Sequence, residues 1–256
     1  MDSLADRIKR SIAQRGAWGT VKMCAVIVGW TILPTFRKAE EKRKAVDDAF
    51  DREYGVDTGG VFRPKCEDVV GENWSLGGNY QAIDPLAFRD ALGAVSIPHE
   101  EFTFIDFGSG KGRTLLIASG FPFKRVIGVE YCKQLNDVAQ QNILRFPASA
   151  RRCDQVESIE ADATQFPIPD EPLVVFLNNP FAEPVMSKVV KNVVDSFRRC
   201  PRRIVVIYFW PNLARLWEET GLFRKIQSAP AIFDTGPLMG RDRPPAQAAH
   251  APVSAR

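Results

Sequence analysis

The chain has 256 residues, of which 45% are hydrophobic and 25% are charged, values that are ordinary for a globular protein with one α/β domain and an extension. Its net charge of +3 is too small to indicate a nucleic-acid-binding protein. The five cysteines form no C-x-x-C pair, and the two histidines, His99 and His250, lie in an expected loop and in the C-terminal tail. We therefore expect no disulfide framework, no bound metal and no Ser-His-Asp triad.

The first 50 residues predict a basic and apolar helical extension. Residues 16–36 are mostly apolar and are flanked by lysines and arginines. Lys22 and Pro34 limit the uninterrupted apolar run to residues 23–33, whereas a membrane span needs about 20 apolar residues. No small-residue cleavage site of a secretory signal follows. Three alternatives stay open: a helix packed on the domain or in a dimer, a helix on an anionic membrane surface, and a true span. The expected location is the cytoplasm, either free or membrane-associated through this segment.

Residues 37–54 are the next predicted element, a charged helix with a narrow apolar stripe at Val46, Ala49 and Phe50. Two glycine- and aromatic-rich stretches, 54–60 and 73–81, follow it and are long for simple connections. A further helix is predicted to start at Asp84, because a capping aspartate is followed there by proline at the first helical position.

A glycine loop is the most informative feature of the chain. An apolar run at residues 102–107 predicts a buried parallel strand, and a helical pattern at 113–119 follows Gly108, Gly110 and Gly112. Such a loop lets the backbone approach a nucleotide-like ligand closely. Its spacing differs from the dinucleotide pattern G-x-G-x-x-G and from the Walker pattern G-x-x-x-x-G-K-[ST]. Asp106 precedes the first glycine by two positions, where its charge would repel a pyrophosphate and suit a cation.

Two more predicted strands lead into acidic residues. The strand at 124–131 contains Glu130, about 20 residues past the glycines, where an acid can bind both ribose hydroxyls. An acid there serves a dinucleotide equally well, so Glu130 indicates a ribose and does not select the cofactor. A one-sided helix is predicted at 133–146. The strand at 156–161 then leads into Asp162, which is a candidate binding residue; the alternative is a helix-cap or turn residue.

The remaining pattern predicts an α/β fold. A strand at 173–177 runs into Asn178-Asn179-Pro180-Phe181, and it is followed by a helix at 183–199, a strand at 203–209, a helix at 212–220 capped by Asn212, and two weaker strands at 223–227 and 231–233. The alternation of strands and helices indicates a doubly wound, mostly parallel sheet with right-handed crossovers.

The pattern D-x-G-x-G-x-G resembles motif I of class I S-adenosylmethionine-dependent methyltransferases. The resemblance implies a Rossmann-like sheet of seven strands, the last antiparallel, and S-adenosylmethionine as cofactor. That cofactor carries an ammonium and a sulfonium and no phosphate, which agrees with the charge of Asp106. Asp106 and the glycine loop would hold its methionine end, Glu130 its ribose and Asp162 its adenine. The predicted cofactor-binding residues are Asp106, Gly108, Ser109, Gly110, Gly112, Arg113, Glu130, Asp162 and Ala163.

The segment Asn178-Asn179-Pro180-Phe181 stands where this family has motif IV. One version of the motif, [DN]-P-P-[FY], belongs to enzymes that methylate planar amino groups; its first side chain and a backbone carbonyl accept hydrogen bonds from the amine, and its aromatic ring stacks on it. Asn178, Pro180 and Phe181 match and are the predicted catalytic residues. Asn179 replaces the first proline, which leaves the acceptor type open. The alternative is a plain Asn-Pro turn that closes a strand.

Together with residues 50–58, these motifs look like a group of bacterial methyltransferase-domain proteins with no assigned acceptor. The expected organisation is an extension at 1–50, a cofactor- and acceptor-covering segment at 51–100, a methyltransferase core at 101–238 and a disordered tail at 239–256. In the covering segment, Tyr80 either borders the site or packs under a loop. The expected activity is methyl transfer to an unidentified acceptor, most readily a protein side chain or a small molecule. A nucleic-acid amine methyltransferase, a non-catalytic cofactor-binding module and a nucleotide-dependent oxidoreductase are the alternatives.

Overall fold

A computed structural model describes residues 34–65, 69–71 and 76–236 of the chain. The expectations for residues 1–33 and for the tail at 239–256 lie outside the described residues. Among the described helices, none combines the length and the apolar character that a membrane crossing requires.

Helices and strands alternate along most of the described chain. The helices are α1 (Pro34–Tyr54), α2 (Pro85–Gly93), α3 (Arg113–Ser119), α4 (Lys133–Arg145), α5 (Glu183–Arg199) and α6 (Arg215–Glu218). The strands are β1 (Val61–Phe62), β2 (Tyr80–Gln81), β3 (Thr103–Phe107), β4 (Arg125–Glu130), β5 (Val156–Glu160), β6 (Leu173–Asn178), β7 (Ile204–Phe209), β8 (Arg224–Ser228) and β9 (Ala231–Asp234). Two short 3₁₀ helices lie at His99–Glu101 and Ala148–Ala150.

Seven strands form one sheet in the order β5-β4-β3-β6-β7-β9-β8, and β1 and β2 form a separate antiparallel pair. The central strand β3 pairs in parallel with β4 on one side and with β6 on the other. The last strand, β9, is antiparallel to both β7 and β8. The predicted doubly wound, mostly parallel sheet with an antiparallel last strand is therefore confirmed.

The sheet is buried on both faces. Along β7, Val206 and Tyr208 join the hydrophobic cluster that includes the apolar side of α5, whereas Val205 and Ile207 join the cluster that includes α2 and α3. Alternate side chains of a strand point to opposite faces, so a strand covered on both sides reads as a continuous apolar run. This is why the sequence predicts the central strands well.

The helix boundaries follow local chemistry. The Asp84 carboxylate accepts hydrogen bonds from the N–H groups of Leu86 and Ala87, at 3.0 and 2.9 Å, and thus confirms the predicted start of α2. The predicted helix at 212–220 is wrong in extent, since α6 covers only Arg215–Glu218 and no side chain caps it. The N–H of Asn212 instead donates to the carbonyl of Trp210 at 2.7 Å, which closes a tight turn ahead of the helix.

Candidate active site

The candidate site lies at the carboxyl ends of the central parallel strands. The chain proceeds from β3 outward through β4 to β5, then returns to the other side of β3 with β6. This reversal leaves a crevice outside the strand ends, the place where open α/β sheets bind ligands. The glycine loop leaves β3 at this point, and Asn178 ends β6 beside it.

The glycine loop takes a backbone path that few other residues permit. Gly108, Gly110 and Gly112 have φ angles of +87°, +56° and +82°, in the left-handed region that glycine enters without a steric penalty. The N–H of Gly108 donates to the Val129 carbonyl of β4 at 2.8 Å, which holds the loop against the neighbouring strand. A Cβ on Gly108 would lie 2.8 Å from Cβ of Pro180, so the loop also packs tightly against the segment after β6.

Asp106 is buried behind this loop, and only one of its two carboxylate oxygens accepts a hydrogen bond from a described residue. Its Oδ2 accepts a hydrogen bond from the Thr114 hydroxyl, whereas its Oδ1 has no hydrogen-bond partner among the described residues. Burial raises the pKa of Asp106 to about 7; the Thr114 hydrogen bond opposes the shift and the nearby Glu130 charge adds to it. A bound cation would favour the ionised form and would use the free oxygen.

Glu130 ties the end of β4 to the glycine loop. Its Oε2 accepts from the N–H of Gly110 at 2.7 Å, and its Oε1 accepts from the N–H of Cys132 at 2.9 Å. Burial raises its pKa to about 7, and the backbone hydrogen bonds limit the increase. Asp106 and Glu130 are thus two buried acids beside the glycine loop, and a bound cation would favour their ionised forms.

The predicted adenine residues lie after β5. The Oδ1 of Asp162 accepts from the N–H of Thr164 at 2.8 Å, a local turn of the kind that the alternative interpretation expected. Ala163 is buried and lines the crevice. A Cβ on Gly71 would lie 2.7 Å from Oδ2 of Asp162. The Asp162 side chain therefore also packs against the backbone at Gly71.

The segment Asn178-Asn179-Pro180-Phe181 forms the opposite wall. The Oδ1 of Asn178 is buried and has no hydrogen-bond partner in the described part of the chain. Asn179 has φ +47° and accepts a hydrogen bond from the Tyr208 hydroxyl at 3.3 Å. Proline cannot adopt a positive φ, while asparagine is among the residues that tolerate it best. Position 179 therefore has a backbone conformation that proline could not adopt.

Residues 76–81, which we call the strap, cross over the glycine loop. The N–H of Gly78 donates to the Pro180 carbonyl at 2.9 Å, and the N–H of Ala182 donates to the Leu76 carbonyl at 2.8 Å. The ring of Tyr80 lies so close to the loop that a Cβ on Gly110 would be 2.1 Å from its Cδ2. Its hydroxyl donates to the Thr58 carbonyl, and burial raises the Tyr80 pKa well above its usual value.

Arg113 belongs to a second, largely buried network beneath the strap. Its Nε donates to the Thr58 hydroxyl at 2.7 Å, and its guanidinium forms an ion pair with Asp47 of α1. Asp51, one turn further along α1, accepts from the N–H groups of Thr58 and Gly59 at 2.9 and 2.8 Å. Sequence reasoning missed Asp47 and Thr58, because contacts between residues so far apart in the chain leave no local pattern.

The open crevice is lined by only some of the predicted residues, namely Gly108, Glu130, Ala163, Asn178, Pro180 and Phe181. Strap residues, Tyr131 and Asn179 also line it, together with Pro64, Val129, Leu135 and Ala161. Outside the lining of the open space are Asp106, Ser109, Gly110, Gly112 and Arg113, in the glycine loop and its flanks, and Asp162, after β5. In the described ranges, no group of three or more His, Cys, Asp or Glu side chains is placed to hold a metal ion.

The sheet order and the antiparallel last strand are those of class I S-adenosylmethionine-dependent methyltransferases, and the chain has that fold. Neither a protein-family model nor a curated protein sequence matches the chain.

Solved structures of methyltransferases align with parts of it. The glycopeptide N-methyltransferase MtfA, complexed with S-adenosylmethionine, is 13% identical at a TM-score of 0.36, and the alignment covers 48% of this chain and 52% of that protein. An RNA methyltransferase from Salinibacter ruber is 16% identical at a TM-score of 0.41, over 60% of this chain and 92% of that one. The T. thermophilus 16S rRNA N2 G1207 methyltransferase is 20% identical at 0.43, over 60% and 43%. This chain thus spans about half the length of the glycopeptide enzyme.

Proposed function

We propose that the chain is an S-adenosylmethionine-dependent methyltransferase. The observation that carries the proposal is the buried Asp106 carboxylate, whose Oδ1 has no hydrogen-bond partner among the described residues, next to a glycine loop at the switch point of the sheet. A buried acid with a free oxygen fits the cationic methionine end of this cofactor. In its ionised form the same acid opposes the pyrophosphate of a nicotinamide dinucleotide.

Different residues of the chain bind different parts of the cofactor. Asp106 and the backbone of the glycine loop bind the methionine end, Glu130 binds the ribose hydroxyls, and Asp162 with Ala163 borders the adenine. The described part of residues 51–100, which includes the strap, covers this ligand, with Tyr80 over Gly110. When bound, the cofactor supplies a methyl group that is already activated by the sulfonium, so the protein contributes approach geometry and the exclusion of water.

The acceptor binds beside Asn178. Its unpartnered Oδ1 accepts an N–H hydrogen bond and thereby orients a nitrogen toward the crevice. Pro180 and Phe181 form the wall that limits how the acceptor approaches. Both oxygens of Glu130 accept backbone N–H hydrogen bonds. We assign no side chain as general base, and the proton that an amine acceptor loses on methylation passes to water beside Asn178. A protein side chain or a small molecule is the acceptor class that we favour.

Calorimetry with S-adenosylhomocysteine tests the proposal. We expect binding by the wild-type chain, loss of most affinity in Asp106→Asn, and unchanged affinity in Asp48→Asn, which replaces an exposed aspartate of α1. NAD(H) should give no heat of binding. A folded protein that binds NAD(H) and ignores S-adenosylhomocysteine would overturn the proposal. Transfer of labelled methyl groups into separated protein, RNA, lipid and small-molecule fractions of a lysate then identifies the acceptor class.

A further inference from the structure

Asn142 is a polar residue that the fold buries completely, at 0% exposure, on the side of α4 that meets the glycine loop. Its Oδ1 accepts a hydrogen bond from the N–H of Asp57 at 2.9 Å, and its Nδ2 donates to the carbonyls of Asp57 and Lys111 at 2.7 and 2.9 Å. Both donors of the side-chain amide are therefore used. A buried carboxamide is costly unless it is hydrogen-bonded in this way, so these three contacts account for asparagine on an otherwise apolar side of the helix.

The two halves of the glycine loop are held by different elements. The first half is bound to β4, through the N–H of Gly108 and through the hydrogen bond between Gly110 and Glu130. The carbonyl of Lys111, in the second half, is bound by Asn142 of α4 instead. Since α4 follows β4 after a two-residue connection, one strand and the helix that continues it hold the loop on both sides.

Asn142 also holds the covering segment (residues 51–100). It binds both the N–H and the carbonyl of Asp57, and two contacts to one residue fix its orientation as well as its position. The ammonium of Lys111 adds an ion pair with the Asp57 carboxylate at 2.7 Å. The next residue, Thr58, accepts the hydrogen bond of the Tyr80 hydroxyl. The covering segment, the glycine loop and α4 thus meet at Asp57.

We infer that Asn142 is a positioning residue that holds the glycine loop and the covering segment at the separation the cofactor requires; this inference rests on the proposed function. Asn142 is outside the lining of the crevice, so it acts through Asp57 and Lys111. Without its hydrogen bonds the loop and the segment move more freely. Binding the cofactor between them must then order both, which lowers the affinity.

Binding of S-adenosylhomocysteine, measured at a temperature at which every variant is folded, tests the inference. Asn142→Leu has a similar volume and lacks all three hydrogen bonds. We expect its affinity to fall at least about tenfold, mainly through faster dissociation. Amide hydrogen exchange in the ligand-free variant should become faster at residues 57–60 and 108–112. Gln141→Leu, at the exposed neighbouring position on α4, should change neither quantity.

A second control separates positioning from general stability. Val193→Ala removes two methyl groups from a buried residue of α5 that is outside the lining of the crevice. It should lower the Tm and leave the affinity for S-adenosylhomocysteine unchanged. Wild-type affinity in Asn142→Leu, or an equal loss of affinity in Val193→Ala, would overturn the inference.

A measurement on the wild type needs no variant to fold. In NMR spectra of protein labelled with ¹⁵N at asparagine, the side-chain amide protons of Asn142 should exchange slowly with solvent. Bound S-adenosylhomocysteine should slow this exchange further, and exchange that the bound ligand leaves unchanged would refute the role of Asn142 alone. If S-adenosylhomocysteine does not bind to the wild type at all, the proposed function fails and this inference fails with it.

Discussion

The carboxylate of Glu130 and the backbone N–H of Gly110 are hydrogen-bonded, with 2.7 Å between Oε2 and N. One side chain thus holds the glycine loop in place and also points to the position expected for the cofactor ribose. Replacing Glu130 by alanine removes both contributions. We expect the affinity for S-adenosylhomocysteine to fall at least about tenfold, the usual scale for a lost hydrogen bond to a charged group. Titration calorimetry measures the change, with Glu160→Ala as the control, since this exposed residue is the register partner of Glu130 on β5. Equal affinity in the two variants would contradict the assignment.

The pH dependence of stability should reveal the two buried acids. Burial raises the pKa of Asp106 and of Glu130 to about 7, so between pH 4 and 7 the folded state binds more protons than the unfolded state. The free energy of unfolding of the ligand-free protein should therefore decrease as the pH rises through this range. Asp106→Asn should flatten the decrease and be more stable than the wild type at pH 8 by about 1–4 kcal/mol.

Affinity for the cationic cofactor should change in the opposite direction. Under the proposed function the ionised carboxylates of Asp106 and Glu130 hold the cofactor, so its affinity should increase between pH 6 and 8. Denaturant unfolding and calorimetry over this range measure both effects. Identical pH profiles for the wild type and Asp106→Asn would exclude Asp106 as the titrating group.

Contact between Gly110 and Tyr80 predicts a second sensitive position. A Cβ on Gly110 would lie 2.1 Å from the Tyr80 ring, and the φ of +56° disfavours any side chain there. Gly110→Ala should displace the strap and abolish detectable binding of S-adenosylhomocysteine. Gly93→Ala is the matched control, because a Cβ there meets no atom within 4 Å. Cofactor binding by Gly110→Ala at wild-type strength would show that the strap does not cover the ligand.

Asn179 offers a test of the acceptor loop. Asn179→Pro should disrupt the loop, since proline holds φ near −65° and the backbone here has φ +47°. Asn179→Gly should keep the fold, because glycine accepts the same φ. Thermal unfolding and labelled methyl transfer distinguish the two variants. A fully active Asn179→Pro protein would mean that the loop follows the family path.

The ion pair between Arg113 and Asp47 connects α1 to α3 and should contribute to the stability of the fold. Both side chains are buried, at 2% and 5% exposure, so Asp47→Ala leaves a guanidinium charge in the interior with Asp51 at 3.8 Å as its remaining acid. We expect a loss of about 2–4 kcal/mol in the free energy of unfolding. Asp48→Ala, at an exposed position of the same helix, should be neutral. Chemical denaturation measures both, and equal stability of the two variants would contradict a structural role for the pair.

Most of the sheet was predictable because its strands are buried on both faces. A continuous apolar run, such as the one in β6 (Leu173–Asn178), is typical of a strand that is buried on both faces. The alternate glycines mark the turn after Phe107. The predicted length of helix α6 was too great, because the sequence pattern does not reveal the strained turn at Trp210 that precedes the helix.

Contacts between distant residues account for what sequence reasoning missed in the site. Arg113 was predicted to bind the cofactor from its place after the glycines, and the structure places its guanidinium against Asp47, 66 residues away. Tyr80 covers Gly110. The local sequence did not distinguish this position at the site from a tyrosine packed under a loop. Cofactor contact by the predicted site residues remains a prediction.

The strap has a kinetic consequence if the proposed function is correct. Its hydrogen bonds run from Gly78 to Pro180 and from Ala182 to Leu76, so the cover of the cofactor pocket and the wall of the acceptor pocket are one connected layer. Lifting the cover to exchange cofactor for its demethylated product breaks the wall at which the acceptor docks. Turnover should then follow a compulsory order, in which the methyl donor enters first and its spent form leaves last.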